Sequence, residues 1–279
     1  RGKQVLITES DKRYLDPLKL SQQWSYGLQV WWNLFYNSFE RVPEKKNDQS
    51  QDLLDKLVEI DCSVNYWLDE QIKLKGQITE PAIARWVPKL VPLTFQFMLS
   101  ASSPIRDWLA FSGSASISRR CFAFRGASGI DGTLSLAMGL SYGIGPLVLV
   151  TGDLALLHDS NGWLFAKPLK TPLIILLIDN DGGGIFSQLE IEKCFKGNFS
   201  DLFKMPQSVD PFKIASAHDV LFRQISSLED LEPALEWGVS LRKPVLLRVC
   251  TYPDKDNNLR VQLRDGLKEY LGTIIKNKK

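Results

Sequence analysis

The sequence predicts an α/β protein built on a doubly wound, parallel, six-stranded sheet. Strand-length apolar runs and helix-length segments alternate from residue 93 to the end of the chain. Two of those runs, 146–151 (PLVLVT) and 172–178 (PLIILLI), are continuously apolar up to Thr151 and Ile178 instead of alternating with polar residues. Strands covered on both faces have that pattern, and parallel sheets place helices on both faces. The 154–167 stretch between the two runs has room for one crossover helix, which makes a βαβ unit.

The elements follow in order. Residues 4–8 read as a short strand and 24–40 as an aromatic helix or paired turn. The polar stretch 43–52 (PEKKNDQSQD) reads as a linker and 52–75 as a helix. Trp24, Trp31, Trp32, Phe35, Tyr36 and Phe39 are expected to pack in a core, or against a domain outside this chain, and not to form a ligand box. Gly76 ends the helix and Thr79 caps the next one, 79–90, with Glu80 and Pro81 in its first turn. Then come a strand at 93–99, a helix at 104–111, a strand at 121–124 and a helix at 132–140. Beyond the βαβ unit the pattern gives a helix at 211–217, a strand at 220–224, a helix at 227–240, a strand at 244–251 and a closing helix at 256–275. Residues 1–76 are thus expected to be a partial helical domain with a linker, and 77–279 the doubly wound domain.

Lys and Arg number 34 against 32 Asp and Glu, a net charge of +2 without a concentrated basic face, so nucleic-acid binding is not expected. No apolar run approaches the length that crosses a bilayer. Cys62, Cys121, Cys194 and Cys250 form no CxxC pair, which points away from a zinc cluster or disulfide framework and towards a reducing compartment. The chain opens at Arg1 directly into a strand-like segment, and it is read as a piece of a longer protein.

The chemistry sits at the ends of the two apolar runs. Asp153 follows Gly152 after the first, and Asn180 follows the second, 27 residues later. Neighbouring parallel strands present their carboxyl ends on one sheet edge, where ligands of open α/β sheets bind. The Asp153 carboxylate, the Asn180 side-chain carbonyl and a main-chain carbonyl of the run Gly182, Gly183, Gly184 make a hard-oxygen set. One carboxylate with neutral donors suits Mg²⁺ bridging a diphosphate, and glycine lets the backbone approach closely. Strands that merely end in Asp and Asn are the competing explanation.

Three blocks in order, FRGASGIDG (124–132), GDLALLHDSNG (152–162) and DNDGGGIFSQL (179–189), resemble the thiamin diphosphate enzymes. Within them, the blocks are most similar to the C-terminal half of the 2-succinyl-5-enolpyruvyl-6-hydroxy-3-cyclohexene-1-carboxylate synthases of menaquinone and phylloquinone synthesis. The third position of the GDL triplet is Leu154, as in those synthases, where most thiamin enzymes have Gly. The resemblance is strong over 102–189, weaker to about 251 and faint before 60. It implies thiamin diphosphate as cofactor, with Mg²⁺, or Mn²⁺ in its place, held by Asp153, Asn180 and the Gly182 carbonyl. It also implies cofactor contacts from Gly152, Leu154, Gly183, Ile130 and Ile185. The reaction implied is decarboxylation of 2-oxoglutarate and addition of the product carbon unit to isochorismate.

Both substrates are dicarboxylates, which suits arginine forks. By the same resemblance Ser102, Arg106 and Arg125 contact substrate carboxylates and Phe186 and Leu189 wall the pocket, although Asp107 or Asp131 are alternative partners for the arginines. The glutamate that activates the cofactor's aminopyrimidine would come from an N-terminal domain of a neighbouring subunit, so no catalytic residue is assigned here. The chain would then act within a homo-oligomer, inactive alone, in a chloroplast or, alternatively, a cytoplasm. His158 is read as a packing residue, not a general base. The segment before Ser102 and Phe124 depart from the family's usual Asn-containing patterns, which bears on substrate and not on metal. The alternatives are another thiamin enzyme, of the acetohydroxyacid synthase or 2-oxoacid decarboxylase type, and a non-catalytic remnant serving assembly.

Overall fold

The computed structural model describes residues 4–9, 13–38, 48–116, 119–124, 129–189 and 197–277. Arg125 and its neighbours through Ser128, and residues 43–47 of the expected linker, lie outside them. The chain divides into Arg1–Val58 and Glu59–Lys279.

In the first unit β1 (Val5–Ile7) pairs in parallel with β2 (Gln22–Trp24), a pairing the sequence did not suggest. Helix α1 (Leu28–Ser38) has no buried residue. Of the two packings expected for its aromatic residues, a core within this chain is not formed: Trp32 and Tyr36 are 52% and 69% exposed, and Trp31 stacks on Phe35 four positions on, while Phe39 lies outside the described residues. Helix α2 (Asp48–Gln71) begins within the stretch read as linker.

The second unit carries one sheet of six strands, β3 (Gln96–Leu99), β4 (Cys121–Ala123), β5 (Leu147–Gly152), β6 (Leu173–Asp179), β7 (Leu221–Ile225) and β8 (Pro244–Cys250). Their spatial order is β4-β3-β5-β6-β8-β7, and every pair is parallel. The expected fold class is present. Period-two alternation explains why β5 and β6 are apolar throughout. Val148, Val150, Ile174, Leu176 and Ile178 enter one core, with Ile83, Val87, Trp108, Leu235 and Leu263 of the helices on that face. Leu147, Leu149, Leu173, Ile175 and Leu177 enter the other, with Leu134, Met138, Leu156 and Trp163. Each of these β5 and β6 residues thus buries its side chain on one face or the other, with about 1.5–3 kcal/mol of transfer free energy favouring burial of each large one.

The helices are α3 (Glu80–Leu90), α4 (Ser103–Phe111), α5 (Thr133–Ile144), α6 (Asp153–His158), α7 (Pro211–Ala217), α8 (Leu231–Ser240) and α9 (Pro253–Asn277). Thr79 caps α3 as expected, its hydroxyl accepting the Ala82 N–H at 3.3 Å. The single crossover helix expected over 154–167 is instead α6 followed by a 3-10 turn, Ser160–Phe165. Two contacts divide it. The Asp159 carboxylate accepts the Ser135 N–H at 2.6 Å, and Gly162 lies so close to Leu134 and Ser135 that a Cβ would stand 2.8 Å from the Ser135 nitrogen. The strand expected from 93 starts at Gln96 because Pro92 and Phe95 close a turn at 3.0 Å.

Chain order and spatial order diverge at β3. The chain leaves it for β4 on one side, then returns to β5 on the other. Loops after β3 and β5 consequently part, which is the topological switch point where such sheets open a crevice.

Candidate active site at the sheet's switch point

The crevice is a cleft of about 500 Å³ lined by the tips of β3, β5 and β6. Of the residues singled out from the sequence, Ser102, Arg106, Ile130, Gly152, Asp153, Leu154, Asn180, Gly182, Gly183, Ile185 and Phe186 all line it. Leu189 does not; it is exposed beyond the glycine run. Arg125 falls outside the described residues. His158 ends α6 and is absent from the lining.

Asp153 is the first residue of α6, where β5 turns into helix, and it is 8% exposed. One carboxylate oxygen accepts the Leu154 N–H at 2.8 Å and the other the Gly182 N–H at 2.6 Å. Burial pushes the carboxyl up to about 6, against the downward pull of those two N–H groups. A desolvated acid that has no ion-pair partner among the described residues is the environment that a cation relieves.

The glycine run is dictated by space. Gly182 adopts φ +112°, and a Cβ on it would stand 2.0 Å from the Lys204 carbonyl oxygen; one on Gly183 would stand 2.4 Å from that of Phe203. The run is seated on a π-helical turn, Ser200–Lys204, to which Gly183 donates its N–H at 2.5 Å. The Gly182 carbonyl accepts the Gly184 N–H at 3.0 Å and keeps its second lone pair.

Asn180 donates its Nδ2 to Glu80 at 2.7 Å, while its Oδ1 is buried and, among the described residues, has no hydrogen-bond partner. An orphaned buried carbonyl beside a desolvated carboxylate fits a hard cation. Among the described residues no group of three His, Cys, Asp or Glu is placed to hold a metal.

On the β3 side, Ser102 carries φ +80° and ψ −140° without glycine's freedom. Such backbone costs about 1–3 kcal/mol and collects at functional sites. Arg106, exposed on α4, donates to the Ser102 carbonyl at 2.8 Å. Asp107 pairs with Arg260 and not with Arg106, which removes one competing explanation for Arg106.

Glu80 lines the cleft and went unnoticed in the sequence. An acidic residue in a helix's first turn is already explained by the helix dipole, so nothing marked it out.

A family model described as thiamine pyrophosphate enzyme, C-terminal TPP binding domain, matches residues 108–249. The chain belongs to the thiamine pyrophosphate enzymes. The matched stretch of this thiamin-binding domain holds Asp153, Asn180 and the glycine run; Glu80, Ser102, Arg106 and Arg260 fall outside it. Curated relatives named 2-succinyl-5-enolpyruvyl-6-hydroxy-3-cyclohexene-1-carboxylate synthase are similar along nearly the whole chain. That of Prochlorococcus marinus strain MIT 9313 is 52% identical over 98% of this chain and 47% of its own length. The MIT 9303 protein is 54% identical over 98% and 47%, and that of Synechococcus sp. strain CC9311 is 48% identical over 96% and 47%. The chain therefore spans about half the length of the curated relatives it matches. A solved thiamin diphosphate-dependent enzyme from Mycobacterium smegmatis superposes with a TM-score of 0.51 at 18% identity, over 64% of this chain and 33% of its own, a likeness of fold. No helix among the described residues is long and apolar enough to cross a membrane.

Proposed function

We propose that this chain supplies the diphosphate-binding half of a 2-succinyl-5-enolpyruvyl-6-hydroxy-3-cyclohexene-1-carboxylate synthase, which decarboxylates 2-oxoglutarate and joins the remaining four-carbon unit to isochorismate. The buried, unpartnered Asn180 Oδ1 beside the desolvated Asp153 carboxylate carries this reading. Asp153, Asn180 Oδ1 and the Gly182 carbonyl would hold Mg²⁺ against the cofactor's diphosphate. When bound, thiamin diphosphate supplies the electron sink for decarboxylation. This chain's residues do the rest of the work on their side of the cleft. Arg106, with Ser102 and Arg125, would orient substrate carboxylates, since a guanidinium meets a carboxylate through two parallel hydrogen bonds. Ile130, Ile185 and Phe186 keep water from the reacting carbon.

The pyrimidine-activating glutamate belongs in this reading to a neighbouring subunit of a homo-oligomer, so this chain alone would not turn over. The relatives come from cyanobacteria, which have no chloroplast, so the cytoplasm fits them better than the organelle.

The test is made on the complete native chain with thiamin diphosphate, Mg²⁺, 2-oxoglutarate and isochorismate. Carbon dioxide release and adduct are expected, and Asp153→Ala should weaken Mg²⁺-dependent cofactor binding at least 100-fold. Turnover of pyruvate instead would move the protein to another thiamin enzyme class, and tight assembly without any turnover would make it a structural remnant.

A further inference from the structure

We propose that Glu80 is a positioning residue for the cation site: it aims the Asn180 carbonyl at Asp153 and Gly182, and is itself aimed by Arg260 of the last helix. The inference rests on the reading of Asp153, Asn180 and Gly182 as cation ligands.

An ionised carboxylate only accepts hydrogen bonds. Glu80 Oε1 takes the Asn180 Nδ2 at 2.7 Å, so the amide nitrogen must face Glu80 and Oδ1 must face away from it. Rotating the amide would set two acceptors against each other.

Glu80 is held in turn. It is 3% exposed at the start of α3, and its Oε2 accepts Arg260 Nη2 at 2.5 Å. Arg260 also grips Asp107 of α4 through Nε at 2.9 Å and Nη2 at 2.5 Å, and Asn257 through Nη1 at 3.0 Å. Asp256, one turn back on α9, accepts the Glu80 backbone N–H at 2.9 Å. Both the main chain and the carboxylate of Glu80 are thus clamped by α9. One guanidinium orients one carboxylate, which orients one amide, which presents one oxygen to the cation. Removing an outer partner of this kind from a metal site typically costs about 10–100-fold in metal affinity.

The chemistry makes a distinctive prediction for Glu80→Gln. Facing the Arg260 donor, the new amide must turn its oxygen to Arg260 and its NH₂ to Asn180. Asn180 must then rotate, offering Oδ1 to Gln and its own NH₂ to the cation. The experiment is an Mn²⁺ titration read by electron paramagnetic resonance, on the complete native chain with thiamin diphosphate and no substrate. Glu80→Gln is expected to bind Mn²⁺ 10–100-fold more weakly, with its cation-free melting temperature within a few degrees of native. Adding Asn180→Asp, whose two oxygens satisfy the Gln donor and the cation together, should recover at least tenfold. Asn180→Asp alone, with carboxylate against carboxylate, should show no such gain.

Native-like Mn²⁺ binding by Glu80→Gln, or strictly additive losses in the pair, would overturn the positioning role. If native binding is indifferent to Asp153→Ala, the ligand assignment itself fails first and takes this inference with it.

Discussion

The two sides of the cleft are built differently. On the β5–β6 side the backbone prepares the site: both Asp153 oxygens rest on main-chain N–H groups, and the glycine run is wedged against residues 203–205. On the β3 side, Ser102 holds a strained conformation without a side-chain cap bond, and Arg106 reaches from an exposed position to a carbonyl in its own turn. Under the proposed function this side would hold the cofactor's diphosphate and its cation, for which a backbone-built site is suited. Under the proposed function, carboxylate recognition would fall to side chains such as Arg106 on the β3 side, and that is where a different substrate would be accommodated.

The largest effect should come from breaking the rigid side. Gly183→Ala sets a methyl 2.4 Å from the Phe203 carbonyl and is expected to cost about 2–3 kcal/mol, read from denaturant midpoints. An unchanged midpoint would mean that the turn at 200–204 yields, and the contrast between the two sides would lose its basis.

Next is the network behind both sides. Burial, reinforced by the nearby Glu80 charge, pushes Asp256 up to about 7 from an ordinary 3.8. Between those values the folded protein binds a proton that the unfolded chain does not, so stability falls as pH rises through that window. Asp256→Asn keeps the acceptor for the Glu80 N–H and removes the titration. It should gain about 1–2 kcal/mol at pH 8 and nothing at pH 4, measured by thermal melts across the range. Equal gains at both ends would show that the proton is not the cause.

The smallest effect sharpens the flexible side. Ser102→Gly releases the positive φ and should stabilise by about 1 kcal/mol or less, since the unfolded chain gains freedom too. A loss of stability would mean that the Ser102 hydroxyl holds the loop.

The doubly wound sheet and the rigid half of the site were legible because their causes are local. Apolar runs with both faces covered announce β5 and β6, and an Asp and an Asn placed just past them share an edge by topology alone. The division of the crossover helix depended on Asp159 and Gly162 meeting Ser135 and Leu134 of another helix, which no period in 154–167 records. Glu80 was invisible for a similar reason: its partners are Asn180 and Arg260, distant in sequence and joined only by folding. The turn at 200–204 that seats the glycines carries no comparable pattern, although the three consecutive glycines did announce a close approach.

The Glu80–Arg260 contact closes a loop of 180 residues. Such closures come late, because their entropy is lost before their contacts repay it. A chain emerging from the ribosome carries the strand tips with Asp153 and Asn180 well before the helix that, in the inference above, would align them. On the proposed reading, the sheet would supply the cation's ligands and the docked helix would complete their alignment, so a newly made chain would be kept from trapping metal in an unfinished site.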